Sequence, residues 1–293
     1  MAYYPSWQGK QAVIPFEDGE VFFDGIFTEP QLNHPECLVF DEYGNIWCGG
    51  EKGEIYRIAS DGSRIEEMAS TKGFTLGLAF DQAGILYTCD LKHSAVFRFN
   101  PHNGELLPFA EGDGQGRKIR VPNVPVVDQA RGVLYVSDSY DPYEAGPGIW
   151  RFDLATGKGQ LWYNKPLRFA NGLVLTAAGD ALFVAETFAR QISRIPILPD
   201  GSAGEKTVVA NIDALPDGLT LDAEGNLYIC CYEPSLIYRW REDTGVELLF
   251  YDPEAHLLCH PTNGVVRGQE LFVSNLGRWH ITRIRLTNEV NKD

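Results

Sequence analysis

Basic residues are scarce in this chain. Its 25 Lys and Arg stand against 40 Asp and Glu, a formal net charge of -15 over 293 residues. Phosphate binding needs a basic face, so the balance argues against a nucleic-acid partner and against an anionic membrane surface. No apolar run approaches the roughly 20 residues that span a bilayer. The opening stretch, MAYYPSWQGKQAVIPFEDGE, lacks the basic and apolar regions of a signal peptide. The six cysteines, Cys37, Cys48, Cys89, Cys230, Cys231 and Cys259, fit neither a zinc pattern nor a small disulfide framework. They read as buried thiols in a reducing compartment, and the chain as cytoplasmic. Long helical periodicity is missing too.

One phrase is present six times: a small or polar residue, an apolar strand, a turn with Asp and Gly, then a second apolar strand. The phrases begin near residues 35, 76, 122, 170, 216 and 262. Their turn glycines are Gly44, Gly84, Gly132, Gly179, Gly225 and Gly268, separated by roughly 40 to 48 residues. Most copies continue into a third strand, such as AVFRFN from Ala95 or QISRIP from Gln191. A more polar fourth leads to the next copy. Units of this length predict an all-β, six-bladed β-propeller with four-stranded antiparallel blades around a central channel. We expect one domain over residues 1–293. The segment GEVFFDGIF is expected to close the ring by pairing with the last blade.

The first strand of each repeat should line the channel, with its leading residue turned toward the axis. That position reads Glu36, Gly77, Asn123, Asn171, Asp217 and Asn263 through the six copies. Asn171-Gly172 alone reads as a turn, with the glycine letting the backbone swing into the strand. Together, five of the six residues carry a carboxylate or amide oxygen and none is basic. Converging carboxylate and amide oxygens suit a hard cation. Calcium accepts roughly 6–8 oxygens at flexible angles, whereas zinc favours His or Cys. One divalent cation is therefore expected, calcium first, with magnesium, manganese or zinc as alternatives.

The stretches HPECLVFDEYGNIW, VPNVPVVDQARGVLYVSDS, ANGLVLTAAGDALFVAET and PDGLTLDAEGNLYI resemble the gluconolactonase/regucalcin family. This family of six-bladed propeller hydrolases is related to paraoxonase, diisopropylfluorophosphatase and strictosidine synthase. The resemblance implies a metal site formed by Glu36, Asn123, Asn171 and Asp217, with Asp217 also the general base and Asn263 an additional metal or substrate contact. It departs from sugar lactonases at Val121 and Val124, where an Arg and an Asp are usual, although Arg120 lies one residue away. Gly77 stands where paraoxonases carry a His.

The implied activity is metal-dependent opening of a small lactone by a polarised carbonyl and an activated water. A phosphotriesterase-like hydrolase on the same site, or a strictosidine-synthase-like or non-catalytic binding propeller, are the alternatives. Asp138, Glu186 and Tyr232 follow second strands and are expected to face substrate, with His260 beside Asn263. The expected partner is a small lactone or ester, and the expected assembly is a monomer or small homo-oligomer.

Overall fold

A computed structural model describes residues 9–286 of the chain. Among these residues there are six antiparallel sheets of four strands each, with sequential strands side by side. The inner strands are Leu38–Phe40, Thr75–Phe80, Pro122–Asp128, Ala170–Leu175, Leu215–Leu221 and Pro261–Arg267. These are the inner strands of blades one to six, and the architecture is the six-bladed propeller expected. The segment Gly19–Asp24 joins the sixth blade as its outermost strand, pairing with His280–Arg285. A strand from before the first blade thus completes the last one, which closes the ring and covers a sheet edge.

The local chemistry explains the repeat. All six turn glycines have left-handed φ, from 60° at Gly268 to 85° at Gly225, a region that side chains disfavour. In the first blade the turn is fixed by Asp41, whose Oδ1 accepts from the Tyr43 and Asn45 amides. Its Oδ2 accepts from Trp47 Nε1 at 2.9 Å, tying the turn to the buried indole.

Apolar side chains gather between neighbouring blades. One cluster joins Tyr135, Trp162 and Ile149 of the third blade to Leu173, Leu182 and Val184 of the fourth. Another joins Tyr56, Ile46 and Leu38 of the first blade to Phe272 and Ile281 of the sixth. Burial between blades leaves the polar heads of the inner strands to meet around the axis.

Candidate active site

The heads are aimed by a recurring irregularity. In five blades, the register between inner and second strand shifts at the head, as between Ala170 and Leu173 or Pro122 and Pro125. A bulge of this kind drops residues out of the ladder and redirects their side chains. Asn171-Gly172 is therefore not a turn. Gly172 is needed because a Cβ there would lie 2.2 Å from the Asp217 carbonyl oxygen. Gly218 is held the same way, 2.3 Å from the Thr262 carbonyl oxygen. The neighbouring blade backbone presses against these positions and holds the heads close.

Glu36, Asn123, Asn171, Asp217 and Asn263 are all buried. Burial pushes the Glu36 carboxyl up to about 7. Asp217 is raised well above the usual carboxylate range by burial and then by the charge of Glu36, opposed by a hydrogen bond from Asn171. The structure thus brings two carboxylates together in a dry site with Asn171 against one of them. Glu36 Oε2 and Asn171 Oδ1 are buried without a hydrogen-bond partner. Unpaired buried acceptors are costly, and two such oxygens among the heads suit a bound cation.

The amide orientations are determined by hydroxyl groups that sequence reasoning missed. Ser139 Oγ donates its one proton to the Ala170 carbonyl at 2.9 Å. Toward Asn123 it can only accept, so Asn123 Nδ2 donates to it at 3.0 Å. Thr187 Oγ1 likewise donates to the Pro216 carbonyl at 2.7 Å and accepts from Asn171 Nδ2 at 3.3 Å. With each NH₂ held by a hydroxyl, each Oδ1 is left on the other side of its amide as an acceptor. The same hydroxyls tie the third blade to the fourth and the fourth to the fifth. Thr262 and Ser274 do so between the sixth and the first, both donating to the Glu36 carbonyl, at 2.6 and 2.9 Å. The signal in the sequence was a hydroxyl directly after an acid, Asp138-Ser139 and Glu186-Thr187.

Two residues expected to face substrate are engaged by the fold instead. Asp138 accepts from the backbone amides of Arg120, Val121 and Tyr140 and from Trp150 Nε1. Glu186 accepts from the Arg168 amide, Gln191, Ser193 and Lys206. Both are at most 3% exposed. They clamp the segment leading into their own inner strand, as Asp90 does through the Phe74 amide and Asn275 through the Cys259 amide. Second-strand ends thus carry a scaffold acceptor, and the site contribution comes one residue later.

Tyr232 occupies that later position in the fifth blade. It is half-buried, and its hydroxyl is raised by burial and then by the charges of Glu36 and Asp217. It stacks on His260 with centroids 4.4 Å apart and planes 19° apart. His260 Nδ1 lies 3.0 Å from the Tyr232 carbonyl oxygen and 3.5 Å from Glu233 Oε2, so Nδ1 carries a proton. Below the heads the thiols are inert. Burial pushes Cys37 up to about 12, and the charges of Glu36 and Asp217 add to that.

Among the described residues no group of three His, Cys, Asp or Glu side chains is placed to hold a metal. The axial donors are two carboxylates plus amide oxygens, a set that fits calcium better than zinc. If a cation binds, Glu36, Asn123, Asn171 and Asp217 are the residues that would hold it.

The fold and the site define a class: a propeller with a buried acid pair and oriented amides at the head of its channel. The sequence matches the family described as SMP-30/gluconolactonase/LRE-like region over residues 69–274, and the chain belongs to that family. It is 26% identical to the adipocyte plasma membrane-associated protein of Salmo salar over 256 residues, 78% of this chain and 57% of that protein. It thus spans little more than half of that relative's length. It is 25% identical to the STRICTOSIDINE SYNTHASE-LIKE 4 protein of Arabidopsis thaliana, covering 87% of this chain and 80% of that one. Its fold matches a gluconolactonase from Xanthomonas campestris with a TM-score of 0.74 and 18% identity, over 92% of this chain and 89% of the other. Among the described residues no helix is long and apolar enough to cross a membrane.

Proposed function

We propose that this protein is a divalent-cation-dependent hydrolase that opens small lactones, with calcium the preferred cation. The observation that carries the reading is the buried acid pair with two orphaned acceptor oxygens, Glu36 Oε2 and Asn171 Oδ1. A bound cation would supply Lewis acidity toward the substrate carbonyl oxygen and charge stabilisation of the oxyanion that follows.

The chain's own groups account for the rest. Asp217 takes a proton from the attacking water, whose oxygen bonds to the carbonyl carbon. The ring C–O bond then breaks, and Asp217 returns the proton to the departing oxygen as a hydroxyl. As a carboxylate in the site, Asp217 can accept that proton and return it. Ser139 and Thr187 hold the amides so that Oδ1 is the acceptor offered to the site. In this reading Asn263, beside Gly218, and His260 orient substrate.

Membership of the family supports a hydrolytic propeller, while fold alone does not fix the reaction. The test is hydrolysis of a panel of lactones and organophosphate esters with calcium and with chelator. Chelator-sensitive lactone opening that is lost in Asp217→Asn supports the proposal. Preferred turnover of phosphotriesters moves the site to that chemistry. Chelator-insensitive turnover removes the cation dependence, and no turnover removes the hydrolase reading.

A further inference from the structure

We infer that the face of the propeller opposite the heads carries a second binding site, a cleft between the first and second blades that takes an arginine side chain presented by a segment of a partner protein. The cleft is separate from the acid pair, and the inference does not rest on the lactonase reading.

Three turns build the cleft. Residues 41–45 and 81–85 join the inner to the second strand in blades one and two, and residues 101–104 join Ala95–Asn100 to Glu105–Ala110 in blade two. The heads stand at the start of the inner strands and these turns at their far ends. Phe99 pairs with Leu86 and Leu86 with Phe80, which sets the third turn at that same end. The space between them is about 380 Å³, close to the roughly 300 Å³ at which ligand pockets begin. It has room for one side chain.

Its walls are rings. Trp47 lines it from the core, Phe40 and Phe80 are half-buried, and His102 lies over the Gly84 turn, with Nε2 3.4 Å from where a Cβ would stand. Tyr43 stands at the lip, 75% exposed, and stacks on no other ring among the described residues.

The fold itself shows what such rings hold. The Arg57 guanidinium lies 5.8 Å from the centre of the Trp47 ring and is bound by Glu66 at 2.7 Å. Arg267 lies 5.0 Å from the centre of the Phe40 ring, with Glu270 3.7 Å away. Each is a guanidinium on a ring with a carboxylate beside it. Tyr43 and Glu42 form the same pair without an arginine, and the Glu42 carboxylate is near enough to push the Tyr43 hydroxyl up. Asp41 and Asp81 also line the cleft. They accept from amides of their own turns, so they contribute field rather than contact. Arg57 is the only Lys or Arg lining the cleft among the described residues, and Glu66 neutralises it.

Two features favour an arginine on a chain over a free amine. A planar guanidinium stacks on ring faces, which a compact ammonium does not. A small cation within the cleft would leave the Tyr43 ring in water, whereas a chain crossing the lip covers it. Tyr and Arg are also the residues that most often anchor protein interfaces.

The test is titration of the whole chain with a capped Ala-Ala-Arg-Ala-Ala peptide, followed by backbone amide NMR. Its lysine and citrulline counterparts and N-acetylarginine amide serve as comparisons. Shifts should fall on residues 40–45, 80–84 and 101–104. The citrulline peptide has nearly the same shape without the charge and should bind at least about tenfold more weakly. The lysine peptide and N-acetylarginine amide should each be weaker by about threefold or more. Tyr43→Ala should keep its melting temperature and weaken the arginine peptide about fivefold, and Glu42→Gln about threefold. Glu224→Gln, in the corresponding turn of the fifth blade, should leave binding unchanged. Equal binding of the citrulline or lysine peptide overturns the arginine site. N-acetylarginine amide binding as tightly as the peptide overturns the protein partner. An equal loss in Glu224→Gln, shifts elsewhere, or no shifts at millimolar peptide overturn the cleft itself.

Discussion

Replacing Asp217 by Asn separates the two things that its carboxylate does. Without a cation, Asp217 and Glu36 are two buried acids in one site, each raised by burial and Asp217 further by the charge of Glu36. Raising Glu36 from 4.5 to about 7 corresponds to about 3 kcal/mol. The sign follows from linkage. A carboxyl whose folded value lies above its unfolded value favours the fold below pH 4.5 and loses that contribution as pH rises through about 7. The chelated wild type should therefore weaken across that window. Asp217→Asn removes the second charge at nearly constant shape. Chelated at pH 8, the variant should be more stable than wild type, because one of two buried charges is gone. Calcium at 100 times its dissociation constant should stabilise the wild type by about 2.7 kcal/mol and the variant by under about 0.5 kcal/mol. Urea unfolding with chelator and with calcium, at pH 5 and pH 8, reads all of these. A variant that is less stable than wild type in chelator, or that gains as much from calcium, would refute the shared-cation account.

The hydroxyl braces give a prediction of their own: Thr187→Val and Ser139→Ala should weaken calcium binding by about tenfold each, measured by calorimetry, while Thr187→Ser retains it. Glu186→Gln should lower stability by about 2 kcal/mol through the loss of its contact with Lys206, with little change in KM. The Glu186 carboxyl is raised by burial but held below its ordinary value overall by Lys206, Ser193, Gln191 and the Arg168 amide. Its contribution is present above the ordinary carboxylate range and is lost as pH falls through the lowered value, so acid unfolding of Glu186→Gln should be shallower. Gly172→Ala forces a Cβ to 2.2 Å from the Asp217 carbonyl and should cost about 2 kcal/mol in urea unfolding. It should also weaken cation binding, because the shift is transmitted to a head.

What was legible in the sequence, and what was not, divides along a physical line. A propeller repeats its turn chemistry, and a positive φ at each turn leaves a glycine in every copy. That made blade number and closure readable from Gly44 to Gly268 without any knowledge of contacts. The heads were readable for a related reason: the ring places residues far apart in sequence at one level, so a column of oxygen donors stands out. The hydroxyls of Ser139 and Thr187 were not readable, because their role depends on which neighbouring carbonyl takes the single proton. Asp138 and Glu186 misled for the same reason. An acid at a strand end looks alike whether it faces a cavity or backbone amides, and only the amides of Arg120, Val121 and Arg168 decide between them. Asn171-Gly172 looked like a turn, yet its glycine answers to the Asp217 backbone of the next blade. Local conformation was therefore written in composition, whereas the chemistry of the site lies in contacts between blades. That is where substitutions that change function without disturbing the fold should be sought: at the hydroxyls and rings that each blade lends to its neighbour.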